Sequence, residues 1–209
     1  MLRGRDIKKY TYDFADIWLI NIHNGVKEKG IKPIKAEDYP AIKKHLDQYF
    51  EILAKRTDKG DTLYNLRNCA YMEDFYKQKI IWKIIGNQMA FSIDSDRYIV
   101  NNACYILIGK GLEYLLSILN SKIIIWYSFI TNMNKTGVGD VQVGGQNVNM
   151  FPIPIISEIE QKSFIKLVNE IIVKKKKNED TRILESKIEV LVSNLYKLTN
   201  EEFNFIQSQ

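Results

Sequence analysis

Histidine and cysteine are nearly missing from this 209-residue sequence, which holds two of each: His23, His45, Cys69 and Cys104. A zinc site needs ligands grouped at close spacing, and these four residues show none. Two remote cysteines also make no disulfide framework. Proline is scarce, with four residues and no adjacent pair, and glycine numbers eleven, so long disordered linkers are not expected. The two most apolar runs, residues 80–85 and 123–130, are too short to span a bilayer, and Lys83 interrupts the first. No signal-peptide pattern follows the charged residues at the start. These absences point to a cytoplasmic, reduced protein with no membrane partner.

What is present is ordinary for a soluble domain: 45% hydrophobic and 26% charged residues, enough chain for one core with a small appendage. The formal net charge of +5 favours an anionic partner without proving one. The chain opens Met1-Leu2-Arg3-Gly4-Arg5-Asp6 and enters structured-looking sequence at once. Such an opening fits a piece of a longer protein and fits a complete small one.

Residues 10–22, rich in aromatic and β-branched side chains around Trp18-Leu19-Ile20, read as strands, and Asn24-Gly25 as a turn. Residues 38–55 read as one helix, with Asp38 as cap, Pro40 in the first turn, and Ile42, Leu46, Tyr49, Phe50 and Leu53 as its apolar stripe. Residues 56–68 read as a polar loop. Residues 79–85, 89–93 and 98–108 read as strands, and residues 112–120 as a helix. Periodicity leaves 123–130 open between helix and strand. Residues 132–149, rich in Gly, Asn and Gln, read as a long exposed loop or hairpin. Beyond them, Ser157 with Glu160 and Thr199 with Glu202 form two capping boxes, and apolar stripes at 164–172 and 184–195 mark two helices. The fold class is therefore α+β: a globular domain over 1–156 with a twisted mixed sheet and flanking helices, then a helical hairpin over 157–209.

Catalytic patterns are absent. Gly137-Val138-Gly139 and Gly144-Gly145 lack the Lys-Ser/Thr ending of a phosphate loop and the full dinucleotide pattern, and read as a flexible loop. Glu158-Ile159-Glu160-Gln161-Lys162 sits at a helix start, where capping explains Glu160 better than nuclease chemistry.

Several blocks in order carry a resemblance: Gly4-Arg5-Asp6-Ile7-Lys8-Lys9-Tyr10, Tyr39-Pro40-Ala41-Ile42-Lys43-Lys44-His45-Leu46, Arg56-Thr57-Asp58-Lys59-Gly60 with Tyr64-Asn65-Leu66-Arg67-Asn68-Cys69-Ala70-Tyr71, Leu119-Asn120-Ser121-Lys122, and Phe151-Pro152-Ile153-Pro154. Together they resemble the TaqI-like C-terminal specificity domain. The resemblance implies a target-recognition domain that follows a methyltransferase domain in adenine-specific DNA methyltransferases and single-chain restriction–modification enzymes. It implies double-stranded DNA and that methyltransferase domain as partners. S-adenosylmethionine would bind the other domain, so no cofactor is expected in this chain. The Asn/Asp/Ser-Pro-Pro-aromatic tetrapeptide that holds a flipped adenine is absent, since no two prolines adjoin, and a non-catalytic chain is expected. The alternative is a protein-interaction or specificity-subunit module that binds a separate methyltransferase subunit.

Arg5, Lys8, Lys9, Lys27 and Lys59 are the expected phosphate contacts. Arg56, Asn65, Arg67 and Asn68 in one polar loop, and Asn134, Lys135, Gln142, Gln146 and Asn147 in the other, are the expected base or loop contacts. Arginine can read guanine, and asparagine adenine, with two hydrogen bonds each. Asn65 and Asn68 could instead hold the loop's own backbone, and residues 174–177, all lysine, could be a solvated helix end.

Overall fold

The computed structural model describes residues 1–86, 88–131 and 141–209, with Val141 described by its backbone alone. The chain divides into two compact units, one of Met1–Ile17 with Asp74–Gln209, the other of Trp18–Glu73. The larger unit opens on a hairpin of β1 (Ile7–Lys8) and β2 (Thr11–Tyr12). The inserted unit carries α1 (Pro40–Asp47) and α2 (Phe50–Lys55). The larger unit resumes with β3 (Lys79–Lys83), β4 (Ile85–Gly86), β5 (Phe91–Asp94), β6 (Cys104–Leu107), α3 (Leu112–Leu119) and α4 (Lys122–Ile130). It ends with β7 (Val141–Gln142), α5 (Gly145–Val148), α6 (Glu158–Lys176), α7 (Arg182–Leu195) and α8 (Asn200–Gln207). The fold is mixed α+β.

β3 is the central strand of the order β5-β3-β6 and runs antiparallel to both neighbours. Ile80, Ile81 and Trp82 are all buried, so both faces of this strand are covered. That explains its unbroken apolar run where a half-exposed strand would alternate. The expected single mixed sheet is instead three small antiparallel sheets among the described residues, with parallel pairing only at an isolated bridge between Leu2 and Val100. The reason is local. The β1–β2 hairpin turns at Tyr10, whose φ is 65°, and is tied to β5 by the Tyr10 N–H donating to the Phe91 carbonyl at 2.9 Å. At 98–108 the Asn101 turn, in which the Cys104 N–H donates to the Asn101 carbonyl, delays the strand to Cys104.

The run at 123–130 is helical, capped by Ser121, whose hydroxyl accepts from the Ile124 N–H. Both expected capping boxes, Ser157 with Glu160 and Thr199 with Glu202, are formed. Phe164, Val168 and Ile171 of α6, Ile188 and Val192 of α7 and Ile206 of α8 share one core cluster with Ile80, Phe91 and Leu116. The expected boundary at 156/157 therefore runs through a common core. Asn120 stitches α3 to β5, its side chain accepting from the Phe91 N–H at 3.1 Å and donating to the Phe91 carbonyl at 2.9 Å. The Phe151-Pro152-Ile153-Pro154 block is pinned by Tyr196 donating to the Pro152 carbonyl and Tyr114 to the Pro154 carbonyl.

Two expectations fail in and around the inserted unit. In residues 10–22 only Thr11–Tyr12 is strand, and Trp18 is 77% exposed. Residues 38–55 form two helices, because the Gln48 and Tyr49 N–H groups donate three residues back, to His45 and Leu46, and tighten the turn out of α-geometry. Asp38 does not cap; it ends a 3-10 turn, and Tyr39 precedes Pro40 at the first helical position. No residue of α1 or α2 is buried, so the apolar stripe does not form a core.

The larger unit has a charged centre. Lys79 and Asp94 are both fully buried and ion-paired across β3 and β5. The Lys79 ammonium also donates to the Phe75 carbonyl at 2.6 Å. Asp94 accepts from the N–H groups of Asp96 at 2.8 Å and Tyr98 at 2.9 Å. Lys79→Met should leave a buried carboxylate without its counter-ion and cost about 3–5 kcal/mol. Urea unfolding of the variant against the parent chain measures it; an unchanged midpoint would show that the pair is not structural.

Candidate nucleic-acid interface

In the inserted unit, residues 22–35 and 59–68 are tied together by polar groups. The Ile34 N–H donates to the His23 carbonyl at 2.9 Å and the Leu66 N–H to the Ile22 carbonyl at 2.8 Å. Asn65 is 3% exposed; its amide donates to the carbonyls of Ile34 at 3.1 Å and His23 at 3.3 Å, and its oxygen accepts from Thr62. Asn24 donates to the Leu66 carbonyl at 2.8 Å and to the Asn68 side chain, and accepts from the Asp61 N–H at 2.8 Å. Two glycines permit the close approach. A Cβ on Gly25, which has φ +75°, or on Gly60 would lie 2.3 Å from a backbone oxygen, that of Ile31 or of Leu66.

This frame reassigns part of the expected reading set. Asn65, expected either at a base edge or on the loop's own backbone, is buried with both donors engaged by backbone carbonyls. Arg56 donates to the Asn65 carbonyl at 2.7 Å, inside the loop rather than outward. Lys59, expected on a phosphate, donates to the Ala54 carbonyl near the end of α2. What the frame displays is Lys27, Arg67 and Asn68, all exposed; neither Lys27 nor Arg67 enters an ion pair among the described residues.

In the larger unit, the Gly4-Arg5-Asp6 block forms a 3-10 turn. Arg3, not Arg5, pairs with Asp6, through contacts of 2.9 and 2.7 Å, and this hydrogen bonding holds the Asp6 carboxyl below its usual range. Arg5 is left exposed on the rim of a groove of about 700 Å³ that is also lined by Lys83, Asn101 and Asn102. Lys8 pairs with Asp13 in the open. Lys9 is tied to Glu185 of α7 at 3.3 Å and lies over the Tyr10 ring. Both pairings compete with the expected phosphate contacts. Three lysines at the end of α6 are also paired, Lys174 with Glu179, Lys175 with Glu185 and Lys176 with Asp96.

Of the second expected loop, Asn134 and Lys135 lie outside the described residues. Its later part is ordered: β7 pairs with β4, and Val143 is buried with its carbonyl accepting from the Trp82 indole at 3.0 Å. Gln142 stands exposed opposite Ile85, Gln146 is exposed, and Asn147 is half-buried in α5. Lys83, Asn101 and Asn102, which line the groove beside Arg5, were not among the expected contacts; the lysine and the two asparagines are far apart in the sequence and only the fold brings them together. No group of three or more His, Cys, Asp or Glu residues that could hold a metal ion occurs among the described residues.

Asn65→Ala should cost about 1–3 kcal/mol of local stability, the penalty for stripping buried partners. Amide exchange should accelerate at 22–35 and 59–68 and stay unchanged in α6 and α7. Uniform exchange rates in parent and variant would remove Asn65 from the frame.

The family of TaqI-like C-terminal specificity domains matches residues 1–153, from the first residue into the Phe151-Pro152-Ile153-Pro154 block. The matched region takes in both the inserted frame and the groove, and stops before α6. Domains of this kind are non-catalytic and serve target recognition in restriction–modification systems. With most of its length inside the match, the chain belongs to the family of TaqI-like C-terminal specificity domains.

Proposed function

We propose that this chain is the sequence-specific duplex-DNA reader of an adenine-specific (N6) DNA methyltransferase or of a single-chain restriction–modification enzyme. The methyltransferase domain, with its S-adenosylmethionine, would lie outside this chain and would be its protein partner. The observation that carries the reading is the frame of the inserted unit. Asn24, Asn65, Gly25 and Gly60 hold a polar loop in one shape while Lys27, Arg67 and Asn68 face solvent. A rigid platform with an exposed arginine and asparagine suits base readout, since each can make two hydrogen bonds to one base edge only when its position is held.

The roles then divide by chemistry. Arg67 and Asn68 are the base-reading pair, and Lys27 is a phosphate contact, as a point charge with loose geometry. Arg56, Asn65 and Lys59 belong to the frame. Gln142 of β7 and Gln146 of α5, both exposed, are further donors and acceptors in the larger unit. Methylation of an adenine requires its extrusion from the stack, and a reader holding the duplex steadies the strands while that happens elsewhere.

Selection of a randomised duplex library on the purified chain, at low and near-physiological salt, tests the proposal. A short enriched motif that survives the higher salt is expected. Arg67→Ala should relax the preference at one base pair, at a cost of about 1–3 kcal/mol, and leave binding to unrelated sequences nearly unchanged. Failure to retain DNA at either salt would overturn the reading and favour a module that binds a methyltransferase subunit.

A further inference from the structure

We infer that Asn24 fixes the hydrogen-bonding polarity of Asn68, so that Asn68 offers donors outward and reads guanine rather than adenine. The inference rests on the DNA-reading proposal and deepens it, naming the base that Asn68 takes and the residue that sets the choice.

Two backbone groups decide the orientation of Asn24. A carbonyl only accepts and an N–H only donates. The atom bonded to the Leu66 carbonyl at 2.8 Å is therefore the Asn24 amide nitrogen, and the atom bonded to the Asp61 N–H at 2.8 Å is its oxygen. Exchanging the two ends would break both bonds. The amide lies against Gly60, where a Cβ would come within 2.4 Å of both its Nδ2 and its Oδ1. The same nitrogen also donates to the side chain of Asn68. A donor there requires an acceptor, so the Asn68 oxygen faces Asn24 and the Asn68 NH₂ is turned away from it. Asn68 is exposed, and its NH₂ has no hydrogen-bond partner among the described residues.

The polarity of readout follows. In the major groove adenine presents its N6 amino group beside N7, and guanine presents two acceptors, O6 and N7. The two-bond contact of asparagine with adenine uses the amide oxygen to accept from N6. Here that oxygen is engaged by Asn24, and the adenine amino group would meet the Asn68 NH₂ donor against donor, which counts against adenine. Guanine instead gives both N–H groups of Asn68 an acceptor. Arg67, the preceding residue and also exposed, carries donors alone. The two side chains share one polarity, and Asn24 is the positioning residue that gives Asn68 its part in it.

Selection of a randomised duplex library compares the parent chain with Asn68→Asp and Asn24→Ser. Asn68→Asp keeps an oxygen for Asn24 to donate to and turns the outward donor into an acceptor. The base pair whose preference changes in Asn68→Asp should be G·C in the parent motif. In the selected duplex, 7-deazaguanine at that pair, which lacks the N7 acceptor, should weaken the parent about fivefold and leave Asn68→Asp unaffected. Asn24→Ser should admit A·T at the same pair and keep the preference at the pair that Arg67→Ala relaxes. A purely structural role for Asn24 would relax both pairs together. Should Asn24→Ser also speed amide exchange at 22–35 and 59–68, the Asn68→Asp and 7-deazaguanine results decide. A parent motif with A·T at the Asn68 pair, 7-deazaguanine without effect on the parent, or a motif unchanged by Asn68→Asp would overturn the inference and leave the DNA reading standing. A parent chain that retains no DNA would overturn both.

Discussion

The buried pairing of Lys79 with Asp94 is the constraint around which the larger unit is organised. Taking two charges out of water costs several kcal/mol each, and only close pairing with further hydrogen bonds offsets that. Both conditions are met, by the Phe75 carbonyl on one side and the Asp96 and Tyr98 N–H groups on the other. The pair occupies opposed positions at one end of the β3–β5 ladder, so the register that puts Trp82 opposite Phe91 is the one that keeps the charges matched. A slip of one residue would send Asp94 to the other face and strand both charges. The same register determines where the far end of β3 delivers Lys83, and so the core and the groove are consequences of one placement.

The inserted unit is held differently. Between Trp18 and Glu73 only Ile22, Ala36 and Asn65 are buried, and the helices α1 and α2 bury nothing. Apolar burial contributes little there, and the shape depends on side-chain amides bonded to backbone and on glycines that allow close approach. A frame of that kind keeps a polar loop rigid without a hydrophobic core beneath it, at the cost of low local stability. That suits a surface whose work is to present donors and acceptors in fixed positions.

Much of the larger unit was legible because burial writes itself into periodicity. The capping boxes at Ser157 and Thr199, the central strand and the helices of the C-terminal region follow from local chemistry that tertiary contacts do not override. The boundary at 156/157 was suggested by a change in texture, yet α6, α7 and α8 close the same core as the sheet. Periodicity shows that a face is apolar and is silent on what covers it. The inserted unit was least legible: the residues around Trp18 have β propensity but form no strand, and the stripe at 42–53 has helical spacing but no core. At the candidate site the family motif pointed to the loop at 56–68. It could not separate Asn65, which supports the loop, from Asn68, which the loop presents, since only burial distinguishes two asparagines three residues apart.

The proposed reader would hold DNA against the displayed loop of the inserted unit. An amide chemical-shift titration of the isotope-labelled chain with a short duplex tests this most directly. Shifts concentrated at 26–32 and 67–68, with α6, α7 and α8 unperturbed, are predicted. Shifts concentrated on those helices, with the loop silent, would contradict it.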